Sequence, residues 1–397
     1  MALLRCPAKD HRIYLDNAAT SYPKPVEVVK AMTHFLSEIG ANPGRSGHRC
    51  SVEAARVIYA AREAVAALFN APDPLRVVFT ANVTESLNLA LYGLLRPGDH
   101  VITSSMEHNS VMRPLRALEQ QGVLVSVAAC SAQGQLDPLQ VERAICPQTR
   151  LIVLNHASNV CGGLLPVAEV GALARQRGVL LLTDEAQTAG AYPVDMQAAQ
   201  IDLLAFTGHK SLYGPMGTGG LIIGERVDLE QLKPLKQGGT GSRSEQEVQP
   251  AFLPDRYESG TPNAVGLAGL CAGIHWVLRQ GVERLRTLEE SLCQELLDGL
   301  AAIPGITLYG GLSAASRTAT IAFNLQGMQP SEVGLRLDEE YGILCRVGLH
   351  CAPAAHRTLG SFPGGSVRLS LGAATSRRQV QAAIKALTRL ASEGRAR

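Results

Sequence analysis

Long hydrophobic runs are missing from this sequence. No uninterrupted apolar stretch reaches the roughly 18 residues that a membrane span needs, and the opening MALLRCPAKDHR is too short and too soon charged for a signal peptide. A cytosolic protein without a membrane partner is the expectation. Charge of one sign is missing too: 37 basic and 35 acidic residues leave a formal +2, which provides no field for nucleic acid. The nine cysteines are scattered, odd in number and form no C-x-x-C pair, which argues against a disulfide framework and makes a small buried hydrophobe the first reading of each. Neither a Walker A sequence nor a G-x-G-x-x-G fingerprint in a strand-to-helix context occurs. Lysine is scarce, with seven against thirty arginines, so each lysine invites a question.

What is present is a chain 46% hydrophobic, 18% charged and free of low-complexity tracts, too apolar and too weakly charged for disorder. Its 397 residues suit one large domain and a smaller one. Apolar, β-branched runs at 76–80, 100–104, 123–127, 150–155, 179–184, 201–207 and 219–224 alternate with helical spacing, as at 85–95 and 167–177. A mostly parallel, seven-stranded α/β sheet is predicted. The stretch 233–263, with GGTGS and four prolines, reads as irregular loop, and a helix is expected near 264–279. Helices to about residue 303, then TATIAFNL, PSEVGLRLDEEYG, ILCRV, VRLSL and SRRQVQAAIKALTRL, read as a small C-terminal α+β domain.

Polar residues collect where the strands of the large sheet end, the edge at which open α/β sheets bind ligands. After the first run come Ala81-Asn82-Val83-Thr84, which read either as a phosphate cradle of free N–H groups or as a plain helix cap. His108 and His156 follow two further strands and are either structural or functional. Asp184 closes a buried strand and calls for a cationic partner, with Gln187 three residues on. Thr207-Gly208-His209-Lys210 places an ammonium at a strand end among small residues. Arginine cannot deprotonate to form an imine and a desolvated lysine can, the rival reading being a surface lysine on a turn. An imine-forming lysine, an aspartate for a pyridine nitrogen, a ring for stacking and a phosphate cradle together fit pyridoxal 5′-phosphate. In Cys345-Arg346-Val347-Gly348-Leu349-His350-Cys351, a metal set of Cys345, His350, Cys351 and His356 matches no familiar zinc module. A reactive thiol at Cys351, beside His350 and Arg346, is the better reading.

The motifs LDNAAT, FTANVTESLNL, MEHNS, HASNVCG, TDEAQ, TGHK, ESGTPN, RVGLHCA and VRLSLG, in that order, resemble those of the cysteine desulfurase and selenocysteine lyase family. That family lies among the class V aminotransferases of the fold-type-I pyridoxal-phosphate enzymes, and the short R-x-G-x-x-C-A loop is similar to its group II, Suf-like branch. The resemblance implies a segment 1–15 joining the small domain, a large cofactor-binding domain over 16–263 and a small domain over 264–397 carrying the cysteine loop. It implies that Lys210 holds the cofactor, Asp184 pairs with the pyridinium nitrogen, Gln187 and Asn159 lie near the phenolic oxygen, and His108 stacks on the ring. Val83, Thr84, Thr207 and His209 would hold phosphate, with Thr261 reaching in from the second subunit of a homodimer. Arg368 would hold the substrate carboxylate, with Arg346, Asn159, Arg45 and His48 nearby and no metal. L-cysteine would become L-alanine, with sulfur left as a persulfide on Cys351 for an acceptor protein or thiol and His108 moving a proton at the substrate sulfur. L-selenocysteine as substrate, an aminotransferase-like reaction without the thiol, and a non-catalytic scaffold are the alternatives. Departures from the family pattern are the missing glycine and paired threonines at 81–84, the extra Ser211, Glu185 in place of glycine, and Cys161.

Overall fold

The structure is a computed structural model that describes residues 12–44 and 47–394. After a two-residue strand β1 (Ile13–Tyr14), the chain forms β2 (Val77–Thr80), β3 (His100–Ser104), β4 (Leu124–Ala128), β5 (Thr149–Asn155), β6 (Leu180–Asp184), β7 (Leu203–Thr207) and β8 (Gly219–Ile223). These last seven make one sheet in the order β2-β8-β7-β6-β5-β3-β4, parallel throughout except that β8 runs against both neighbours. Both faces are covered at the centre of the sheet, so its inner strands carry near-continuous apolar runs rather than an alternating pattern. Ile152, Leu154, Leu181 and Leu204 enter one core, and Leu151, Val153, Leu182 and Leu203 the other. Because the β8 reversal leaves β2 parallel to the remaining strands, Thr80, Ser104, Asn155, Asp184 and Thr207 all end at one edge.

All seven expected runs are strands, and the helix predicted at 167–177 spans Val167–Arg177. The stretch 233–263 contains neither helix nor strand. The helix Ala264–Gln280 buries Leu267, Leu270 and Ile274 in the first core. Beyond the helix Val282–Ala301 come β9 (Ile306–Tyr309), β10 (Thr320–Leu325), β11 (Ile343–Leu344), β12 (Arg346–Gly348) and β13 (Ser366–Ser370). A four-stranded antiparallel sheet, β12-β13-β10-β9, packs on the helices Val282–Ala301, Pro330–Tyr341 and Arg377–Gly394 through Leu297, Leu337 and Leu387. ILCRV, expected as one strand, breaks at Cys345: β11 pairs with β1, whereas β12 pairs with β13. No helix among the described residues is long and apolar enough to cross a membrane.

Candidate active site

At the common edge of the large sheet lies a cavity of about 180 Å³ whose wall includes Thr84, His108, Asn159, Asp184, His209 and Lys210. Val83, Gln187 and Thr207 line it as well, so every expected cofactor-facing residue except Thr261 meets in one space. Thr261 is exposed and borders a separate cavity of about 220 Å³ with Glu85, Lys236 and Asn263.

Lys210 follows β7 through Gly208, where an added Cβ would stand 2.2 Å from Thr218 Oγ1, so the turn needs glycine. Burial pulls the Lys210 ammonium down from 10.5 to about 8; Arg368 and Arg346 push the same way, and Asp184 opposes them. Asp184 is buried, accepts a hydrogen bond from Ala186 N–H at 2.9 Å, and is pushed up by burial to about 6. The cationic partner expected for it is not a protein side chain: no ion pair to Asp184 occurs among the described residues, although Lys210 stands close enough to oppose the shift.

His108 caps the helix Asn109–Glu119, and Ser110 N–H donates to its Nδ1 at 3.0 Å. An N–H can only donate, so Nδ1 is the acceptor and a neutral ring carries its proton on Nε2. Burial, followed by Lys210 and Arg346, lowers His108 to about 4 and keeps it neutral. The Ser110 hydroxyl bridges His108 Nδ1 and Thr84 Oγ1, at 2.8 Å each. Ser110 was not singled out in the sequence; a serine two residues past a capping histidine is the signal that marks it. Asn155, at the end of β5, also lines the cavity and was missed.

Asn82 caps the helix Val83–Leu94 by accepting from Glu85 N–H at 3.0 Å, and Ala81 N–H is taken by Glu85 Oε2 at 2.6 Å. The Val83 and Thr84 N–H groups take no partner among the described residues, as an anion cradle requires. Asn159 Oδ1 and His209 Nδ1 are buried without a hydrogen bond. These orphaned atoms and the unpaired Asp184 carboxyl fit a group with a cationic ring nitrogen, a ring oxygen and an anion at its far end. Pyridoxal 5′-phosphate has those features.

Cys351, Arg346 and Arg368 do not line the cavity; Cys351 is exposed, with Arg346 Nη2 3.8 Å from its sulfur. His350 and Cys351 both adopt left-handed backbone, at φ 48° and 57°, which costs a non-glycine residue about 1 kcal/mol or more. Hydrogen bonds hold the turn: Asn159 Nδ2 donates to His350 O at 2.7 Å and Asn109 N–H to Cys351 O at 2.8 Å. Arg368, fully buried, faces Arg346 across the β12–β13 pair and donates to Asp16 Oδ1 at 2.6 Å and Asn159 O at 2.9 Å. Asp16, another residue the sequence did not single out, offsets two like charges on neighbouring strands.

Other expectations land elsewhere. His48 is exposed and caps the helix Arg49–Phe69, accepting from Ser51 N–H at 3.3 Å; it does not line the cavity. Arg45 lies outside the described residues. His156 is structural: its Nδ1 meets Glu185 Oε2 at 2.7 Å, which gives the departure at Glu185 its buried partner. Burial pushes Glu185 up, yet His156 and Thr188 together hold its carboxyl below the usual range. Burial pushes the Cys345 thiol up to about 12, leaving it unreactive beside Cys351. No metal-holding cluster exists among the described residues.

A profile of the family described as Aminotransferase class-V matches residues 13–383. A probable cysteine desulfurase of Methanothermobacter thermautotrophicus is 36% identical over 390 residues, 97% of this chain and 96% of that protein. A cysteine desulfurase of Pectobacterium atrosepticum is 36% identical over 95% of this chain and 92% of its own length. Among solved structures, the apo cysteine desulfurase of Thermococcus onnurineus NA1 superposes with a TM-score of 0.90 at 32% identity, covering 99% of this chain and all of that one.

Proposed function

The chain belongs to the aminotransferase class-V family, and on that premise we propose that it is a pyridoxal-phosphate-dependent cysteine desulfurase. It takes L-cysteine to L-alanine, holds the sulfur on Cys351 and passes it to an acceptor protein or thiol, working as a homodimer in the cytoplasm. The observation that carries this reading is the meeting of Lys210, Asp184 and a free N–H cradle in one cavity, with the turn that carries Cys351 hydrogen-bonded to the cavity residue Asn159 and Arg346 beside its sulfur. Lys210 would bind the cofactor covalently, Asp184 its ring nitrogen, His108 its face, Asn159 and Gln187 its ring oxygen. Val83, Thr84, Thr207 and His209 would hold its phosphate, joined by Thr261 of a second subunit. When bound, the cofactor supplies an electron sink that acidifies the substrate Cα.

The rest follows from the side chains. Arg368 and Arg346 draw the substrate carboxylate to the small-sheet wall of the site. Once the amine of the incoming substrate has displaced it, Lys210, which burial pulls down to about 8, is a usable base near neutral pH and would take the Cα proton. His108, neutral and holding its proton on Nε2, presents a donor to the substrate sulfur. Cys351 attacks that sulfur as a thiolate, and Arg346 meets its negative charge. An S–S bond forms as the C–S bond breaks, the electron pair stays with Cβ, and one proton taken up at Cβ together with the one Lys210 returns to Cα completes alanine. With L-cysteine and a reductant, alanine and sulfide should appear in equal amounts, and Lys210→Ala and Cys351→Ala should each abolish both. Undiminished alanine release from Cys351→Ala would sink the persulfide route.

A further inference from the structure

Residues 20–24, which take no part in the cavity wall, converge on the turn that carries Lys210. The carbonyl oxygen of His209 accepts from Ser21 N–H at 3.1 Å, Thr20 Oγ1 at 2.9 Å and Lys24 Nζ at 2.7 Å. The carbonyl oxygen of Lys210 accepts from Ser21 Oγ at 2.7 Å and from Tyr213 N–H at 2.9 Å. Lys24 Nζ donates in turn to Ser21 Oγ at 2.8 Å, so the two donor groups brace each other.

The first of these carbonyls belongs to the peptide unit entering Lys210 and the second to the unit leaving it. Peptide units are rigid planes, so fixing both sets φ and ψ at Lys210 and with them the direction of its Cα–Cβ bond. Lys24 contributes the charged donor, and such bonds are roughly twice as strong as neutral ones. It does so at a cost. The ammonium is half-buried, no carboxylate pairs with it among the described residues, and burial alone pulls its pKa from 10.5 to about 8. In a chain with only seven lysines, the carbonyl of one peptide group is an unusual place to spend one.

We propose that Lys24 is a positioning residue for Lys210: with Ser21 it locks the two peptide planes flanking that lysine and so aims its amine at cofactor and substrate. The inference rests on the reading that Lys210 carries the cofactor. Its test compares Lys24→Met, Lys24→Arg, Ser21→Ala and Lys210→Ala, each saturated with pyridoxal 5′-phosphate. Visible circular dichroism per bound cofactor reports how the bound ring is held, and kcat and KM for L-cysteine are read alongside. Lys24→Met should alter the dichroic band and lower kcat at least about tenfold, the scale expected of a misaimed reacting group, with KM held within about twofold. KM is spared because Arg368 grips the carboxylate elsewhere. Lys24→Arg should recover most of both signals, and Ser21→Ala should shift them the same way by less. A Lys24→Met enzyme with wild-type dichroism and kcat, or one that loses only melting temperature, overturns the inference. Should that variant fail to fold, an unaltered Ser21→Ala enzyme overturns it equally. Silent Lys24 and Ser21 variants beside a Lys210→Ala protein that has lost the visible band defeat this inference alone. An unshifted band in Lys210→Ala defeats the underlying reading.

Discussion

At the end of β6 a carboxyl group sits 5% exposed with a single hydrogen bond to its name. Burial raises Asp184 from 3.8 to about 6, so the folded chain holds that proton more tightly than the unfolded one. Stability therefore falls as pH rises from about 4 to 6, and above that the charge costs about 3 kcal/mol by the size of the shift. In the cofactor-free protein Asp184→Asn should raise the melting temperature by a few degrees at pH 7 and leave it unchanged at pH 4, while abolishing desulfuration. A pH-independent gain in differential scanning calorimetry would mean that the charge is not the cause. The aspartate is thus kept against the interest of the empty fold, a frequent bargain at active sites. Residues of this kind were legible in the sequence because each ends a recognisable strand. Ser110, Asp16 and Lys24 were not, since what defines them is a partner brought close by folding: Asp16 meets Arg368, and Lys24 meets the His209 carbonyl.

Among the elements, the irregular stretch 233–263 is fastened at several points, Lys236 to Glu85 and Asn263 to the Gly217 carbonyl among them, and one fastening is a largely buried ion pair. Glu258 accepts from Arg62 Nη1 at 2.7 Å, pairs with Arg62 Nη2, and accepts from Phe79 N–H at 2.5 Å, tying the loop to the helix Arg49–Phe69 and to β2. Arg62, itself buried, also donates to Val77 O and lies 4.7 Å over the Phe79 ring. Glu258→Ala strands that guanidinium and should destabilise the protein by about 3 kcal/mol, with Glu258→Gln costing less, as read from urea midpoints. An unchanged midpoint would show that the loop is held by something else. The loop was readable as irregular from its glycines and prolines, but its anchor was not, because Glu258 and Arg62 stand 196 residues apart. The same limit explains ILCRV. Its apolar pattern is continuous, and only the distant partners β1 and β13 decide that it breaks at Cys345. Strands of the large sheet escape the problem because burial on both faces writes itself locally as an apolar run.

For the whole molecule, the proposed homodimer turns on Thr261. It borders a different cavity from the one that holds Lys210, so in the proposed homodimer it serves the opposite site. Heterodimers pairing a Lys210→Ala chain with a Thr261→Asp chain, isolated through two different tags, keep one intact site and should show about half the wild-type activity. If Thr261 served its own chain, both sites would be dead. Among the contacts through which the C-terminal sheet meets the large one, four share a kind of acceptor. Arg317 Nε donates to Cys161 O at 3.0 Å and Arg368 to Asn159 O, while from the other side Asn159 reaches His350 O and Asn109 N–H reaches Cys351 O. Every acceptor in that set is a main-chain oxygen, which each amino acid presents alike. At those four points the receiving surface can therefore drift in side-chain identity without losing its grip, and a hybrid that grafts the C-terminal sheet and helices of a relative onto this chain keeps these contacts wherever the four donors are retained.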